Sequence, residues 1–321
     1  MTDCSIVVAT HGRNPLLARC LRALARQAYP ANAYEVVVAD DAASAATRAC
    51  VERIADASPI SIRYVPVLAR HGPAAARNVG WRLAHGTVIA FTDDDTVPHE
   101  GWVRGFVDAA ARGIDAGWGV IIVPTGDPPT DHERDVKGLE HAGFVTANAF
   151  CRRDVLDDLG GFDERYPTAW REDSDLFFRL LERGYRVEHV PESVVVHPVR
   201  PAPWAASLRK ERKHEWDALL YKEHRELYRQ YVHPDKPHLY YAIVGALALG
   251  AVGAATRRRR LATAGATAWG ILTSALAARR IRHTSHAPAH VADVILTSAL
   301  LPPLSLFWRV RGGIRHRVAF W

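Results

Sequence analysis

The chain has few of the residues and motifs that mark disulfide-rich, zinc-binding or nucleic-acid-binding proteins. It has four cysteines in 321 residues, and none of them forms a C-x-x-C pair. Reduced thiols in a cytoplasmic domain are the simplest interpretation. Zinc-finger spacings and base-reading motifs are absent, so we expect no nucleic-acid partner. The chain enters an apolar, strand-like run almost at once, which predicts no signal peptide.

Acidic residues are scarce in the C-terminal part of the chain. The net charge is +6, although the first 200 residues are rich in aspartate. The basic excess lies beyond them, in Arg257–Arg260, Arg279-Arg280-Ile281-Arg282 and Arg309-Val310-Arg311. Basic clusters confined to this region predict contact with a membrane surface or an anionic lipid.

The length and the pattern of the chain predict one large α/β domain followed by an appendage. Short β-branched runs alternate with helical segments in the first half, which predicts βαβ units in a Rossmann-like, mostly parallel sheet with flanking helices. Ligands bind such sheets at the carboxyl ends of the strands. We expect this domain to occupy residues 1–200, an amphipathic charged helix and linker to occupy 201–237, and a membrane-associated helical region to occupy 238–321. Within the second segment, Trp204–Tyr231 is predicted as one long helix.

Three apolar runs follow the predicted linker. Leu239–Thr256 and Leu261–Ala278 hold 18 residues each, and Val291–Trp308 is interrupted by Asp293 and Pro302-Pro303. Eighteen residues are near the lower limit for a membrane-spanning helix, and arginines at both ends of the second run conflict with the positive-inside rule. Three arrangements stay open. The region forms an integral hairpin with its arginine-rich turn outside, a set of helices lying in the membrane interface, or a soluble helical subdomain.

Three adjacent aspartates, Asp93-Asp94-Asp95, follow the short apolar strand Gly86–Thr92. Neighbouring carboxylates repel one another, and a divalent cation would neutralise them. Hard oxygen ligands suit Mg²⁺ or Mn²⁺, which proteins usually hold together with the phosphates of a substrate. The triplet therefore predicts a metal–diphosphate site, with a helix-capping turn as the alternative.

Several polar segments occur in a fixed order before and at this triplet. They are Ser5–Thr10 with His11-Gly12-Arg13, then Val36–Asp41, then Gly72–Asn78, and finally the triplet itself. This series resembles the family 2 glycosyltransferases of the GT-A fold, over about Ser5–Pro198. The resemblance implies a metal-dependent, inverting glycosyltransferase that uses a nucleotide-diphosphate sugar, with a UDP-sugar favoured. Together with the basic, apolar C-terminal region it suggests a lipid-linked or envelope-glycan acceptor at the cytoplasmic face of the membrane.

The resemblance also implies which residues bind the nucleotide sugar. They are Thr10, Arg13, Asp40, Asp41, Arg77, Asn78, Asp93, Asp94 and Asn148. Asp41, or alternatively Asp40, would accept a hydrogen bond from the base, although a helix N-cap is the competing role for this pair. Arg77 and Asn78 lie in the first turns of a predicted helix whose N-terminus would attract phosphate, with a solvent-facing arginine as the alternative. Asn148 would bond a sugar hydroxyl.

The same resemblance implies a set of metal ligands. Asp95 is the expected direct ligand, Asp93 is expected to contact the metal or the ribose, and the middle aspartate is expected to matter least. His197, at the end of a predicted strand, would complete the metal shell, and a merely packed histidine is the alternative.

A second block, Gly160–Glu164 followed by Trp170–Leu176, resembles the acceptor side of the same family. The resemblance implies that Asp173, or alternatively Glu172, is the catalytic base, because inverting transfer needs a carboxylate to take the proton of the acceptor hydroxyl. The alternative is that these two acids only complement the helix dipole. Two rival functions stay open: a nucleotidyltransferase of the same fold, and a catalytically silent membrane-bound scaffold.

Overall fold

The computed structural model describes residues 2–232 and 237–320. The chain divides into two units, which we describe separately. The first comprises the residues up to Pro124 together with Lys137–Val199, and the second comprises Thr125–Val136 and the residues from Arg200 onward. The linker expected at the end of residues 201–237 lies partly outside the described residues.

The first unit is built on one mixed sheet. Its strands are β1 (Cys4–Thr10), β2 (Tyr34–Asp40), β3 (Ser61–Pro66), β4 (Val88–Asp93), β5 (Val97–Pro98), β6 (Ala116–Ile122), β7 (Asn148–Arg152) and β8 (Val187–Val196), in the order β3-β2-β1-β4-β7-β6-β8-β5. The N-terminal strands β3, β2, β1 and β4 are parallel, and so are β6 and β8. Strand β7 runs antiparallel to β4 and β6, and β5 runs antiparallel to β8. The predicted α/β class is confirmed, with the parallel half at the N-terminal end.

Helices flank this sheet and make up most of the second unit. They are α1 (Asn14–Leu24), α2 (Ala45–Asp56), α3 (Pro73–Leu83), α4 (Trp102–Ala111), α5 (Asp131–Lys137), α6 (Arg153–Leu159), α7 (Glu172–Glu182), α8 (Ala206–Glu211), α9 (Asp217–Glu223), α10 (Arg225–Tyr231), α11 (His238–Ala255), α12 (Arg259–Ile281) and α13 (Pro288–His316). Short 3₁₀ turns cover Gly138–His141 and Arg212–Glu215.

Tight packing between α3 and the central strands fixes the edge where the polar segments meet. Strands β1 and β2 are almost wholly buried, as apolar strands covered on both faces should be. A Cβ on Gly80 of α3 would lie 2.4 Å from Val7 of β1, so only glycine allows this approach. The parallel register pairs Thr10 with Asp40 and Ala9 with Asp93. The polar ends of β1, β2 and β4 therefore share one edge of the sheet.

The segment predicted as one helix, Trp204–Tyr231, is instead broken into α8, a 3₁₀ turn, α9 and α10. His224 separates α9 from α10 with a backbone conformation outside the helical region (φ −132°, ψ 57°). His214 bonds Asp217 through Nδ1 and Oδ2, at 2.7 Å, where the 3₁₀ turn passes into α9. A hydrophobic pattern alone does not reveal such a break in a helix.

In the second unit, α11 and α12 form a hairpin through close contact of glycines. A Cβ on Gly265 would lie 2.2 Å from the nitrogen of Gly250, and one on Gly253 would lie 2.3 Å from the nitrogen of Ala262. Small residues at such a crossing allow two backbones to touch. Among the described residues, α11, α12 and α13 are long and apolar enough to cross a membrane by length and composition. Helix α13 continues through Pro302-Pro303, although each proline removes a backbone donor and its ring crowds the preceding turn.

Candidate active site

The aspartate triplet lies where β4 ends in a tight turn. Thr96 closes this turn, because its backbone nitrogen and its hydroxyl both donate to the carbonyl of Asp93, at 3.2 and 2.8 Å. The Asp93 side chain is partly exposed, whereas those of Asp94 and Asp95 are buried. The three carboxylates therefore occupy different environments although they are adjacent in sequence.

Asp94 is held by the protein itself. Thr10 donates to its Oδ2 at 2.6 Å, and Arg13 lies 2.9 Å from its Oδ1. Burial raises the pKa of Asp94 to about 6, although Arg13 and Thr10 act in the opposite direction. These contacts place Thr10 and Asp94 in a buried network beneath the cleft. Arg13, which is about one-third exposed, also lies 3.4 Å from Asp95.

Asp93, Asp95 and His197 form a group that could hold a metal ion. One ligand atom from each lies within 4.8 Å of the others. Opposite ligands of an octahedral Mg²⁺ are about 4.2 Å apart, so this spacing fits a single ion with modest adjustment. Nδ1 of His197 is buried and has no hydrogen-bond partner among the described residues, while Nε2 lies 3.6 Å from Asp95. Two carboxylates and an imidazole suit Mg²⁺ or Mn²⁺.

Arg77 connects this group to the start of α7. Its guanidinium donates to Asp93 at 2.9 Å and to Glu172 at 2.8 Å, and the side chain is buried. Burial alone would lower the pKa of Arg77, but the carboxylates of Asp93 and Glu172 raise it. The solvent-facing alternative for Arg77 is therefore wrong. Two of its donors are committed to carboxylates, so its first role in this structure is to link β4 to α7.

The acids Glu172 and Asp173 begin α7, after Arg171 in a left-handed conformation (φ 75°). Glu172 is buried, and its Oε2 has no hydrogen-bond partner among the described residues. Asp173 is partly exposed, and its Oδ1 accepts from the backbone nitrogen of Ser174 at 2.7 Å. Burial raises the pKa of both carboxyl groups, and their mutual repulsion adds to the rise for Glu172. Asp173 is thus the member of the pair that solvent reaches.

The pair at the end of β2 divides between two roles. Asp40 is fully buried, and its carboxylate accepts from the backbone nitrogens of Ala42 and Ser44 and from the hydroxyl of Tyr64, at 2.8–3.1 Å. These bonds hold the turn that leads to Ser44, which is the N-cap of α2, and the nucleotide contact of Asp40 stays a prediction. Asp41 lies at the partly open edge of the sheet.

Two histidines near Asp41 were not singled out from the sequence. His71 Nδ1 lies 3.0 Å from Oδ1 of Asp41, and His11 Nδ1 lies 3.4 Å from Oδ2. The backbone nitrogen of Gly72 also donates to Oδ1, at 3.0 Å. His-Gly occurs at 11–12, 71–72 and 85–86, so this pair alone does not mark the two histidines beside Asp41.

The side chain of Asn78 is held inside the protein by four hydrogen bonds. Its amide nitrogen donates to the carbonyl of Phe162 and to Glu164, both at 2.9 Å, and its oxygen accepts from Trp81 Nε1 and the nitrogen of Phe162, both at 2.9 Å. An asparagine side chain offers two donors and an acceptor oxygen with two lone pairs, so these four bonds use it fully. Asn78 thus clasps the Gly160–Glu164 loop to α3, and its contact with the nucleotide stays a prediction.

Asn148 is also removed from the cleft. It is fully buried, donates to the carbonyls of Val120 and Ser193 at 2.8 and 3.0 Å, and accepts from Trp102 Nε1 at 2.7 Å. The bond to a sugar hydroxyl expected for Asn148 is therefore incompatible with this packing. Its amide instead joins β7 to β6 and β8 where their ladders diverge.

Comparison with known proteins agrees with this fold. The family model Glycosyl transferase family 2 matches residues 5–161, and the model Glycosyl transferase family group 2 matches residues 88–309. The chain is 25% identical to the glycosyltransferase AglE of Haloferax volcanii over 61% of its own length and 67% of that protein. It is 33% identical to the pre-mycofactocin glycosyltransferase of Mycobacterium tuberculosis over 40% of its own length, but spans only 30% of that relative.

Among solved structures, the mannosyltransferase PcManGT from Pyrobaculum calidifontis, in complex with GDP-Man and Mn²⁺, superposes with a TM-score of 0.58. The match covers 98% of this chain and 86% of that one, at 20% identity. At this identity the likeness is evidence of the fold alone. The mixed sheet with its flanking helices thus has the GT-A fold.

The matched region settles the family. The second family model covers well over half of the 321 residues, and it extends from the aspartate triplet into α13. The chain belongs to glycosyltransferase family 2. The resemblance drawn from the ordered sequence segments is confirmed.

Proposed function

We propose that this enzyme moves a sugar from a nucleoside-diphosphate donor, with inversion and with a bound divalent cation, to an acceptor presented at a membrane. One observation carries the proposal: five carboxylates gather at the end of β4 and the start of α7, and they outnumber the guanidinium groups found beside them among the described residues. The carboxylates belong to Asp93, Asp94, Asp95, Glu172 and Asp173, and the guanidinium groups to Arg13, Arg19, Arg77 and Arg171. The excess of negative charge favours a cation at this edge.

Asp93, Asp95 and His197 are the residues that would hold the cation. A bound Mg²⁺ or Mn²⁺ would supply Lewis-acid stabilisation of the leaving nucleoside diphosphate. The protein contributes a fixed geometry: Arg77 orients Asp93, and the turn closed by Thr96 sets the position of Asp95. Hydrogen bonds made to the ligand residues in this way orient metal ligands before the ion arrives.

The base of the donor is assigned to the edge beside Asp41. Its carboxylate is already aligned by the backbone nitrogen of Gly72 and lies near two imidazoles. A carboxylate in this position can accept an N–H from a nucleobase. We leave the base open between uracil and other bases that present such a donor.

Asp173 is the proposed catalytic base. It is partly exposed, whereas Glu172 is buried and committed through Oε1 to Arg77. A base must reach the acceptor hydroxyl directly, and the exposed carboxylate is the one that can. Glu172 would act by holding Arg77 and the start of α7 in place.

The acceptor is proposed to be lipid-linked or part of an envelope glycan. The apolar helices α11, α12 and α13 support a membrane location, and the soluble first unit suits the cytoplasmic side. The domain boundaries expected from the sequence, at residues 200 and 237, are retained as a proposal for where the catalytic part ends.

A donor screen tests the core of the proposal. Purified full-length protein is mixed with a panel of nucleotide sugars with and without Mn²⁺, and release of nucleoside diphosphate is measured. We expect metal-dependent release from one donor. Release of pyrophosphate from a sugar phosphate and a nucleoside triphosphate would instead identify a nucleotidyltransferase.

The catalytic base is tested by Asp173→Asn. We expect kcat to fall by about 10²–10⁴-fold with little change in the KM for the donor, because proton removal rather than donor binding is lost. Asp154→Asn is the matched control, since Asp154 is the second residue of α6 as Asp173 is of α7. Full activity of Asp173→Asn would exclude Asp173 as the base.

A further inference from the structure

Helix α13 packs along the polar segment that precedes the apolar helices. Near its start, Asp293 Oδ1 accepts from the backbone nitrogen of Ala205 at 2.8 Å. Near its end, a Cβ on Gly312 would lie 2.4 Å from the carbonyl oxygen of Glu215. These two contacts are separated by about 28 Å of helix. One face of α13 is therefore covered by this segment over most of its length.

The covering segment is too polar to enter the hydrocarbon of a bilayer. Arg209, Arg212, Lys222 and Glu223 are exposed on α8, the 3₁₀ turn and α9. Placing several charged side chains in lipid is costly, even where long side chains reach toward the surface. A helix that lies along this segment must stay at the same depth in the bilayer as the segment. In this packing α13 therefore does not cross the bilayer, although its length and composition would allow it.

The opposite face of α13 is an apolar stripe. Its members are Leu296, Leu300, Phe307, Val310 and Ile314, with 43–74% of each residue exposed. At 3.6 residues per turn these positions fall along one side of the helix over about 27 Å. A continuous apolar stripe on a helix whose other face is polar is typical of helices that lie in the membrane interface.

Two arginines border the stripe at its C-terminal end. Nε of Arg311 and Nη1 of Arg315 lie 3.3 and 2.9 Å from the same oxygen of buried Glu215. Both arginines are about half exposed. A groove of about 480 Å³ lies here, lined by these three residues together with Phe307, Val310 and Ile314. Two cations facing one carboxylate leave the groove positive, beside apolar side chains, which complements a lipid phosphate with its chains.

We propose that α13 lies in the plane of the bilayer surface, with its apolar stripe in the acyl region and Arg311 and Arg315 on the phosphate of an anionic phospholipid. The proposal rests on the membrane association proposed above, and it is independent of the donor, the acceptor and the metal. Arg280 of α12 donates to Thr297 and Ser298 of α13, and the proposal leaves the depth of the α11–α12 hairpin open.

Depth measurements test the orientation. Leu300→Cys, Phe307→Cys and Ile314→Cys are made singly in the full chain, labelled with a fluorophore and reconstituted in phosphatidylglycerol vesicles. The four native cysteines are buried and should resist labelling. Quenching by lipids with spin labels at graded depths should give one shallow depth for all three sites. A spanning helix would separate the sites at 300 and 314 by about 20 Å, and that result would overturn the proposal.

Lipid selectivity tests the phosphate contact. In detergent, phosphatidylglycerol should raise the melting temperature of the full chain more than phosphatidylcholine does. A triple variant combines Arg311→Gln, Arg315→Gln and Glu215→Gln, which leaves no unpaired buried charge. This variant should lose the difference in melting temperature between the two lipids. Arg183→Gln is the control, because it removes the same net charge from the first unit and should keep it. An equal response to both lipids, or a selective response in the triple variant, refutes the contact. Failure of the wild type to enter vesicles refutes the membrane association as well, while leaving the transferase assay unaffected.

Discussion

Replacing Asn78 with alanine separates the clasp observed in the structure from the nucleotide contact expected from the sequence. The side chain makes four hydrogen bonds, and three of its partners are the N–H and carbonyl of Phe162 and the indole N–H of Trp81. All three belong to residues that are nearly inaccessible to solvent. Alanine would leave these groups buried and unpaired, and it would detach the Gly160–Glu164 loop from α3.

The magnitude follows from the number of orphaned groups. A buried donor or acceptor that loses its partner costs about 1–3 kcal/mol. Three such groups give an expected loss of about 3–5 kcal/mol in the free energy of unfolding, since partial relaxation offsets some of the cost. A substitution at an exposed turn position, Asn32→Ala, should change stability by less than about 0.5 kcal/mol.

Denaturant unfolding and steady-state kinetics together test this reasoning. The full chain is unfolded in urea in a mild detergent and followed by fluorescence, with the kinetics measured below the transition. We expect Asn78→Ala to unfold at lower urea and to lower kcat, because the loop it releases leads to α7, with the KM for the donor nearly unchanged. A variant of wild-type stability with a many-fold higher donor KM would refute the clasp and restore the nucleotide contact.

Three further outcomes follow from single contacts. Burial alone would raise the pKa of Glu35, but a hydrogen bond from Ser5 and other donors lower it. Glu35→Gln should therefore be less stable than the wild type at pH 7, and this difference should fade below about pH 4.5. Urea titrations at several pH values would measure it. Gly265→Ala should lower the melting temperature, because its Cβ would lie 2.2 Å from a backbone nitrogen of α11, whereas Gly270→Ala, with no atom within 4 Å, should be neutral or slightly stabilising. Arg77→Lys keeps the charge but cannot fork between two carboxylates, so kcat should fall at least about tenfold while circular dichroism still shows a folded chain.

Features that depend on neighbours in the sequence were predicted well. The parallel half of the sheet follows from alternating β-branched and helical segments, and the meeting of Thr10, Asp40 and Asp93 at one edge follows from the parallel register. The placement of the aspartate triplet at a strand end followed from the apolar run before it. These inferences need only local periodicity and the geometry of parallel strands.

Roles that depend on packing between distant segments were not predictable. The partners of Asn78 lie up to 86 positions away, and one partner of Asn148 lies 46 positions away. An asparagine near a strand end or in the first turns of a helix has the same appearance in the sequence whether it faces a ligand or ties two elements together. Burial decides between the two roles, because a fully buried amide must be satisfied inside the protein.

The same criterion divides the acidic residues of the site. Asp40 and Asp94 are buried and bonded to the protein, whereas Asp93, Asp173 and Asp41 retain exposure and can meet a ligand. Asp95 is an exception, because it is buried and yet belongs to the candidate metal group. Repulsion among these carboxylates would push the end of β4 and the start of α7 apart if nothing opposed it. Arg77 opposes it by binding Asp93 on β4 and holding the start of α7 beside it. In the proposed function, this contact sets the donor end and the acceptor end at a fixed separation before substrate binds, which is the preorganisation that transfer between two bound partners requires.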